Sequence, residues 1–115
     1  MEKLPTYDTE EPLITYNKLV RDRIPEIIEA EGKRANIRTM DENEYRTALM
    51  AKLGEEVGEY EGEPSLEELA DILEVVLALA AVHGCTPEDL ERARSEKARE
   101  RGGFSRRVFL ETVHS

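Results

Sequence analysis

Four carboxylates in two pairs carry the chemistry most readily read from this sequence. Glu56 and Glu59 lie within the run Glu55-Glu56-Val57-Gly58-Glu59, and Glu68 and Asp71 within Glu68-Leu69-Ala70-Asp71. Residues three apart on a helix share a face, so each pair projects as a unit from its own helix. The connection between the pairs is short, which makes the two helices antiparallel neighbours and lets the four side chains converge near the hairpin. Like charges gathered in this way cost free energy unless a cation lies among them. Oxygen-only ligands select hard ions, so the expected occupant is Mg²⁺, with Mn²⁺ as a substitute, sharing the carboxylates with waters and substrate phosphates. The competing expectation is an ordinary solvated helix surface, since glutamate is common on helices. Two features favour the metal: Asp71 interrupts an apolar helix, a costly place for an unpaired charge, and the pairs sit across one hairpin.

Basic residues form a second group. Lys18, Arg21 and Arg23 fall in Tyr16-Asn17-Lys18-Leu19-Val20-Arg21-Asp22-Arg23-Ile24-Pro25, and Lys97, Arg101, Arg106 and Arg107 surround Gly102-Gly103-Phe104. Metal-bound phosphates need further positive groups, and arginine supplies two parallel hydrogen bonds. Ion pairing with the many acids is the plainer expectation for Arg34, Arg38, Arg92 and Arg94. Phe104, after two glycines, either stacks on a base or plugs the core. Cys85 lacks a spaced second cysteine, so zinc is unsupported. His83 fits a helix C-terminus better than a site, His114 joins no cluster, and no phosphate-binding glycine loop occurs.

The elements that must position these groups are helices. Residues 1–15, with Pro5 and Pro12, read as an irregular arm, and 16–115 as one helical domain. A helix over 23–31 has Pro25 in its first turn and Gly32 as its stop. Residues 36–40 alternate and could extend briefly. A second helix over 41–60 opens with Asp41 and Glu44 at capping-box spacing, and Tyr45, Leu49, Leu53 and Val57 recur every four residues as an apolar stripe. Gly62 and Pro64 break the chain. Ser65 and Glu68 repeat the capping-box spacing for a third helix running to His83. From Leu69 to Val82 that helix is apolar nearly all round, interrupted by Asp71 and Glu74. It must be covered on all sides, and a domain this small implies a partner chain on one face. Thr86 at N-cap and Pro87 at N1 open a fourth helix ending at Gly102-Gly103. The tail 104–113 reads as a short strand or a docked extension. The expected fold is all-α, an antiparallel helical bundle completed by oligomerisation.

Composition narrows the partners. The 115 residues carry 26 Asp and Glu against 16 Lys and Arg, a formal net charge of −10. Such a surface repels polyphosphate backbones, so no nucleic-acid polymer is expected as a partner. The absence of tryptophan and the few other aromatics argue against a base-stacking platform. The lone cysteine fits a reducing cytoplasm. No signal peptide is read before the Glu10-Glu11-Pro12 turn, and no apolar run approaches a bilayer span, so no membrane partner is expected.

The segment Lys52-Leu53-Gly54-Glu55-Glu56-Val57-Gly58-Glu59-Tyr60, followed by Glu68-Leu69-Ala70-Asp71-Ile72-Leu73-Glu74-Val75, resembles the MazG-like all-α nucleotide pyrophosphohydrolases. The opening block 16–25 and the closing block Lys97-Ala98-Arg99-Glu100-Arg101-Gly102-Gly103-Phe104 resemble a small single-domain branch of that group, described as house-cleaning enzymes for noncanonical nucleotides and close to phosphoribosyl-ATP pyrophosphohydrolases. The resemblance covers residues 16–105. It implies the fold of the all-α NTP pyrophosphatases, Mg²⁺ on Glu56, Glu59, Glu68 and Asp71, and hydrolysis of a nucleoside triphosphate between the α and β phosphates. It further implies a role for Glu55, Glu56 and Glu59 in catalysis, with Glu55 positioning water. Lys18, Arg21, Arg23, Lys97, Arg101 and Phe104 become contacts for substrate, and the chain a homodimer or homotetramer. The interval from Glu59 to Glu68 is shorter than in typical members of the group, which leaves the base specificity carried by that loop open. The alternatives are the phosphoribosyl-ATP reaction itself, or a non-catalytic helical module binding a nucleotide or a partner.

Overall fold

The computed structural model describes residues 13–115, and their regular elements are four α-helices with no strand among them. These are α1 (Ile24–Ala30), α2 (Glu42–Gly62), α3 (Leu66–Val82) and α4 (Pro87–Arg101). The expected arm therefore lies, apart from its last three residues, outside the described residues. Residues 33–41 hold no regular structure, so the extended piece expected over 36–40 forms no ladder.

Local chemistry sets each boundary. Asp41 caps α2 by accepting from the Glu44 N–H at 2.9 Å, and Ser65 caps α3 by accepting from the Glu68 N–H at 3.2 Å. Neither closes into the reciprocal box that the spacing predicts, because both glutamates are engaged elsewhere. Glu44 pairs with Arg38, and Glu68 turns toward the carboxylates of the hairpin. At α4 the box is complete: Thr86 Oγ1 accepts from the Asp89 N–H, and Asp89 accepts from the Thr86 N–H. Between α3 and α4, Gly84 adopts φ 76°, a left-handed conformation suited to a residue without Cβ.

The α2–α3 hairpin is the packed unit. α4 touches α3 alone and leaves it at 105°, while α1 packs against none of the other helices. Among the described residues the buried apolar side chains are Leu49 on α2 and Val75 on α3, one from each member of this pair. The apolar stripe on α2 does not run as its four-residue spacing predicts. Each four-residue step overshoots a helical turn by about 40°, so by Val57 the line has rotated about 120° from Tyr45. Val57 is accordingly 39% exposed. Glu56 lies only about 20° from Tyr45, so the seam carries a carboxylate where the four-residue pattern places valine. On α3, Glu68 and Asp71 lie on the same face as Val75. Both members of the hairpin thus turn acids inward near the turn and hydrocarbon inward farther along.

The tail beyond α4 forms neither a strand nor a contact with this chain's core. Phe104 is 96% exposed, which rules out its plugging the core of its own chain. Among the described residues no single helix is long and apolar enough to cross a membrane.

Candidate metal centre

The hairpin brings one carboxylate oxygen each from Glu56, Glu68 and Asp71 within 4.8 Å of one another. Two oxygens in the shell of one Mg²⁺ lie at most about 4.2 Å apart, twice the metal–oxygen distance. A small rotamer adjustment closes that gap, and the all-oxygen donor set matches a hard divalent cation. The three residues therefore fit such an ion by chemistry and by reach. Glu56 is well covered, with 12% of its side chain accessible.

The site also shows the strain that a cation would relieve. The Glu68 carboxyl is pushed above its ordinary range, first by desolvation and then by the charges of Glu59, Asp71, Glu56 and Glu63. Glu59 contributes to this field without joining the group of three. It stands one face around α2 and lines a shallow groove with Glu55, Gly58, Gly62 and Glu63. The four expected ligands are therefore brought together as three plus a neighbour.

Two of the expected basic residues reach the rim from the segment preceding α1. Arg21 Nη2 donates to Asp71 Oδ1 at 2.6 Å, and Lys18 Nζ donates to Glu55 Oε1 at 2.9 Å. Asn17 turns the backbone there with φ 44°, a conformation asparagine tolerates better than most residues. The bond to Lys18 holds the Glu55 carboxyl below its ordinary range, with Lys52 adding to the effect, and Glu55 in return raises Lys18. Arg23 goes elsewhere, pairing with Glu26 at 3.1 Å on the outside of α1.

Lys52 was absent from the expected set. Its Nζ lies 3.3 Å from Glu56 and 3.6 Å from Glu55, and its side chain is only 17% exposed. The signal was available: lysine precedes two glutamates at i+3 and i+4. Lysine placed N-terminal to glutamate is, however, the weaker orientation for stabilising a helix.

Lys97, Arg101 and Phe104 are not brought to the carboxylates within one chain. The carboxylates lie about 16 Å along α3 from the α3–α4 turn, and the far end of α4 lies about 22 Å from that turn in a divergent direction. The resulting separation is on the order of 20 Å or more. Neither Lys97 nor Arg101 forms an ion pair among the described residues, whereas Arg38, Arg92 and Arg94 each pair with a nearby glutamate or aspartate as expected.

Comparison with known proteins adds little to this geometry. An uncharacterised protein of Mycolicibacterium smegmatis (strain ATCC 700084 / mc(2)155) is 60% identical over 42 residues, which is 36% of this chain and 43% of that relative. The match thus spans less than half of the relative's length. No family model and no solved structure matches the chain.

Proposed function

We propose that this chain is a Mg²⁺-dependent nucleotide pyrophosphohydrolase that cleaves nucleoside triphosphates between the α and β phosphates, giving a monophosphate and pyrophosphate. The observation that carries this reading is the convergence of Glu56, Glu68 and Asp71 oxygens within 4.8 Å, with the Arg21 guanidinium already bonded to one of them. The sequence resemblance to MazG-like enzymes supplies the reaction, and house-cleaning of noncanonical nucleotides is the role that goes with it.

A divalent ion held by these carboxylates would neutralise phosphate oxygens and acidify a water molecule. The residues divide the remaining work. Glu56, Glu68 and Asp71 bind the ion, and Arg21 orients Asp71 through Oδ1 while keeping donors free for a phosphate. Lys18 and Lys52 hold Glu55 ionised and in place. A carboxylate so engaged is a weak base, so the proton of the attacking water passes more readily to Glu59, which forms no ion pair among the described residues and lies close to Glu68. Self-association into a dimer or tetramer belongs to the same reading, because α3 exposes Leu66, Leu69 and Leu73.

The test is pyrophosphate release from a panel of ordinary and modified nucleotides, with phosphoribosyl-ATP included, in Mg²⁺ and in EDTA. Turnover in Mg²⁺ that vanishes in EDTA and in Asp71→Asn is expected. Calorimetric Mg²⁺ binding without turnover on any nucleotide would favour a binding module. Absence of Mg²⁺ binding to the wild-type chain would overturn the metal centre itself.

A further inference from the structure

We infer that the segment following α4 is an exchange arm: residues 104–113 of one copy lie along the outer face of α3 in a second copy, and the second copy returns the same contact. This rests on the self-association put forward above and assigns its surfaces.

The donor is unusual for a free surface. Phe104, Val108, Phe109, Leu110 and Val113 are between 73% and 96% exposed, and the segment holds no strand or helix. A turn closed by the Arg107 N–H on the Phe104 carbonyl at 3.0 Å, with Arg107 at φ 55°, separates residues 108–113 from α4. The acceptor lies on the same chain but faces elsewhere. Leu66, Leu69 and Leu73 recur at i, i+3 and i+7 on the side of α3 turned away from α2, and are 77%, 46% and 55% exposed. Exposed apolar stretches of this kind mark interaction sites rather than ordinary surface.

Three considerations commit the acceptor to a second copy. The first is charge. Glu67 and Glu74 edge the leucine stripe on a chain with a net charge of −10, whereas the arm carries Arg106 and Arg107, neither paired among the described residues. The second is area. Two phenylalanines alone present about 150–250 Å² each, so two reciprocal arms with the faces they cover clear the roughly 1,000 Å² expected of a specific interface. The third is symmetry: donor and acceptor occur on every copy, so a two-fold exchange satisfies both and closes without leaving either exposed.

The experiment combines sedimentation with mapped cross-linking on the full chain. A photoreactive residue replacing Phe109, in a mixture of ¹⁴N and ¹⁵N copies, should cross-link to α3 peptides between copies of different isotope. Phe109→Asp should weaken the dimer about tenfold or more, as loss of a buried aromatic anchor does, with helical circular dichroism retained at concentrations where the dimer still forms. A monomer at all concentrations would overturn both this proposal and the self-association on which it rests. A dimer unaffected by Phe109→Asp, or cross-links confined to one copy or mapping away from α3, would overturn the arm while leaving self-association standing. Should Phe109→Asp unfold the helices, the cross-link map of the photoreactive chain decides alone.

Discussion

At the scale of single residues, the centre gathers like charges, and Glu68 is where their repulsion can be read. Its carboxyl is raised by desolvation and by neighbouring acids. An acid whose folded pKa lies above its unfolded value loses stability to ionisation as pH rises past the unfolded value, and the loss is complete above the folded one. In EDTA at neutral pH, Glu68→Gln should therefore melt at a higher temperature than the wild type, and the gap should close as pH falls below the ordinary glutamate value of 4.5. With saturating Mg²⁺ the order should reverse, since only the wild type keeps all three ligands. Equal stabilisation of both proteins by Mg²⁺ in thermal melts would remove Glu68 from the site. Arg21→Ala tests the outer layer: loss of a group orienting a metal ligand typically costs 10–100-fold in affinity, readable by calorimetry. Arg21→Lys should recover only part of it, because an ammonium cannot bond a carboxylate and a phosphate in one plane. Much of this site was legible from spacing. Pairs three apart and one short connection suffice to place Glu56, Glu68 and Asp71 together. What spacing could not give is how the hairpin's inward face divides the run 55–59, sending Glu56 to α3 and leaving Glu55 and Glu59 in an outer groove.

At the scale of elements, caps and breakers were readable while side-chain destinations were not. Asp41, Ser65 and Thr86 each cap the helix predicted to follow them. The reciprocal half of the box forms only at α4: Glu44 pairs with Arg38 instead, and Glu68 stands with the carboxylates of the hairpin. A capping glutamate serving as a candidate ligand is a conflict that sequence alone does not reveal. Thr86→Ala should thus destabilise the chain by about 1 kcal/mol, the usual cost of losing an N-cap, measured by urea unfolding. The companion Asp89 carboxyl is held below its ordinary range, first by the Thr86 backbone N–H and then by its side chain. Its contribution is therefore fully present above the ordinary value of 3.8 and lost as pH falls through the lower folded value. Wild type and Asp89→Asn should consequently converge in stability under strongly acid conditions, whereas the Thr86→Ala deficit persists there, because the lost Thr86 Oγ1 acceptor does not titrate. Gly84→Ala, at φ 76°, should cost about 1 kcal/mol through a left-handed alanine, although open space surrounds the new methyl group. Residues 36–40 alternate and 104–113 are rich in apolar side chains, features that suit a short strand. Neither has a neighbouring strand to pair with, and alternation without a partner specifies no ladder.

At the scale of the whole molecule, the chain is too open to be stable as described. A compact domain of this length has a radius of gyration near 13 Å, against 20.7 Å here, and extends 83 Å along its longest axis. Its accessible surface of 10864 Å² compares with about 6,400 Å² for a folded monomer of this mass. Two buried apolar side chains cannot offset the conformational entropy of ordering α2 and α3. The nearly all-round apolar character of α3 is the sequence feature behind the proposed self-association, and Leu66, Leu69 and Leu73 are exposed on that helix. If association supplies the missing burial, folding and assembly are one equilibrium, and the thermal midpoint must rise with protein concentration. Leu69→Glu combined with Leu73→Glu should then lower the midpoint, abolish its concentration dependence and lose helical signal, because the monomer lacks the core to hold its helices. A midpoint constant across a wide dilution series, for a species sedimenting at the 13.1 kDa of one chain, would mean that the hairpin and its acids are stable without a partner. The carboxylate centre would then have to be assembled by α2, α3 and the Lys18–Arg21 segment alone.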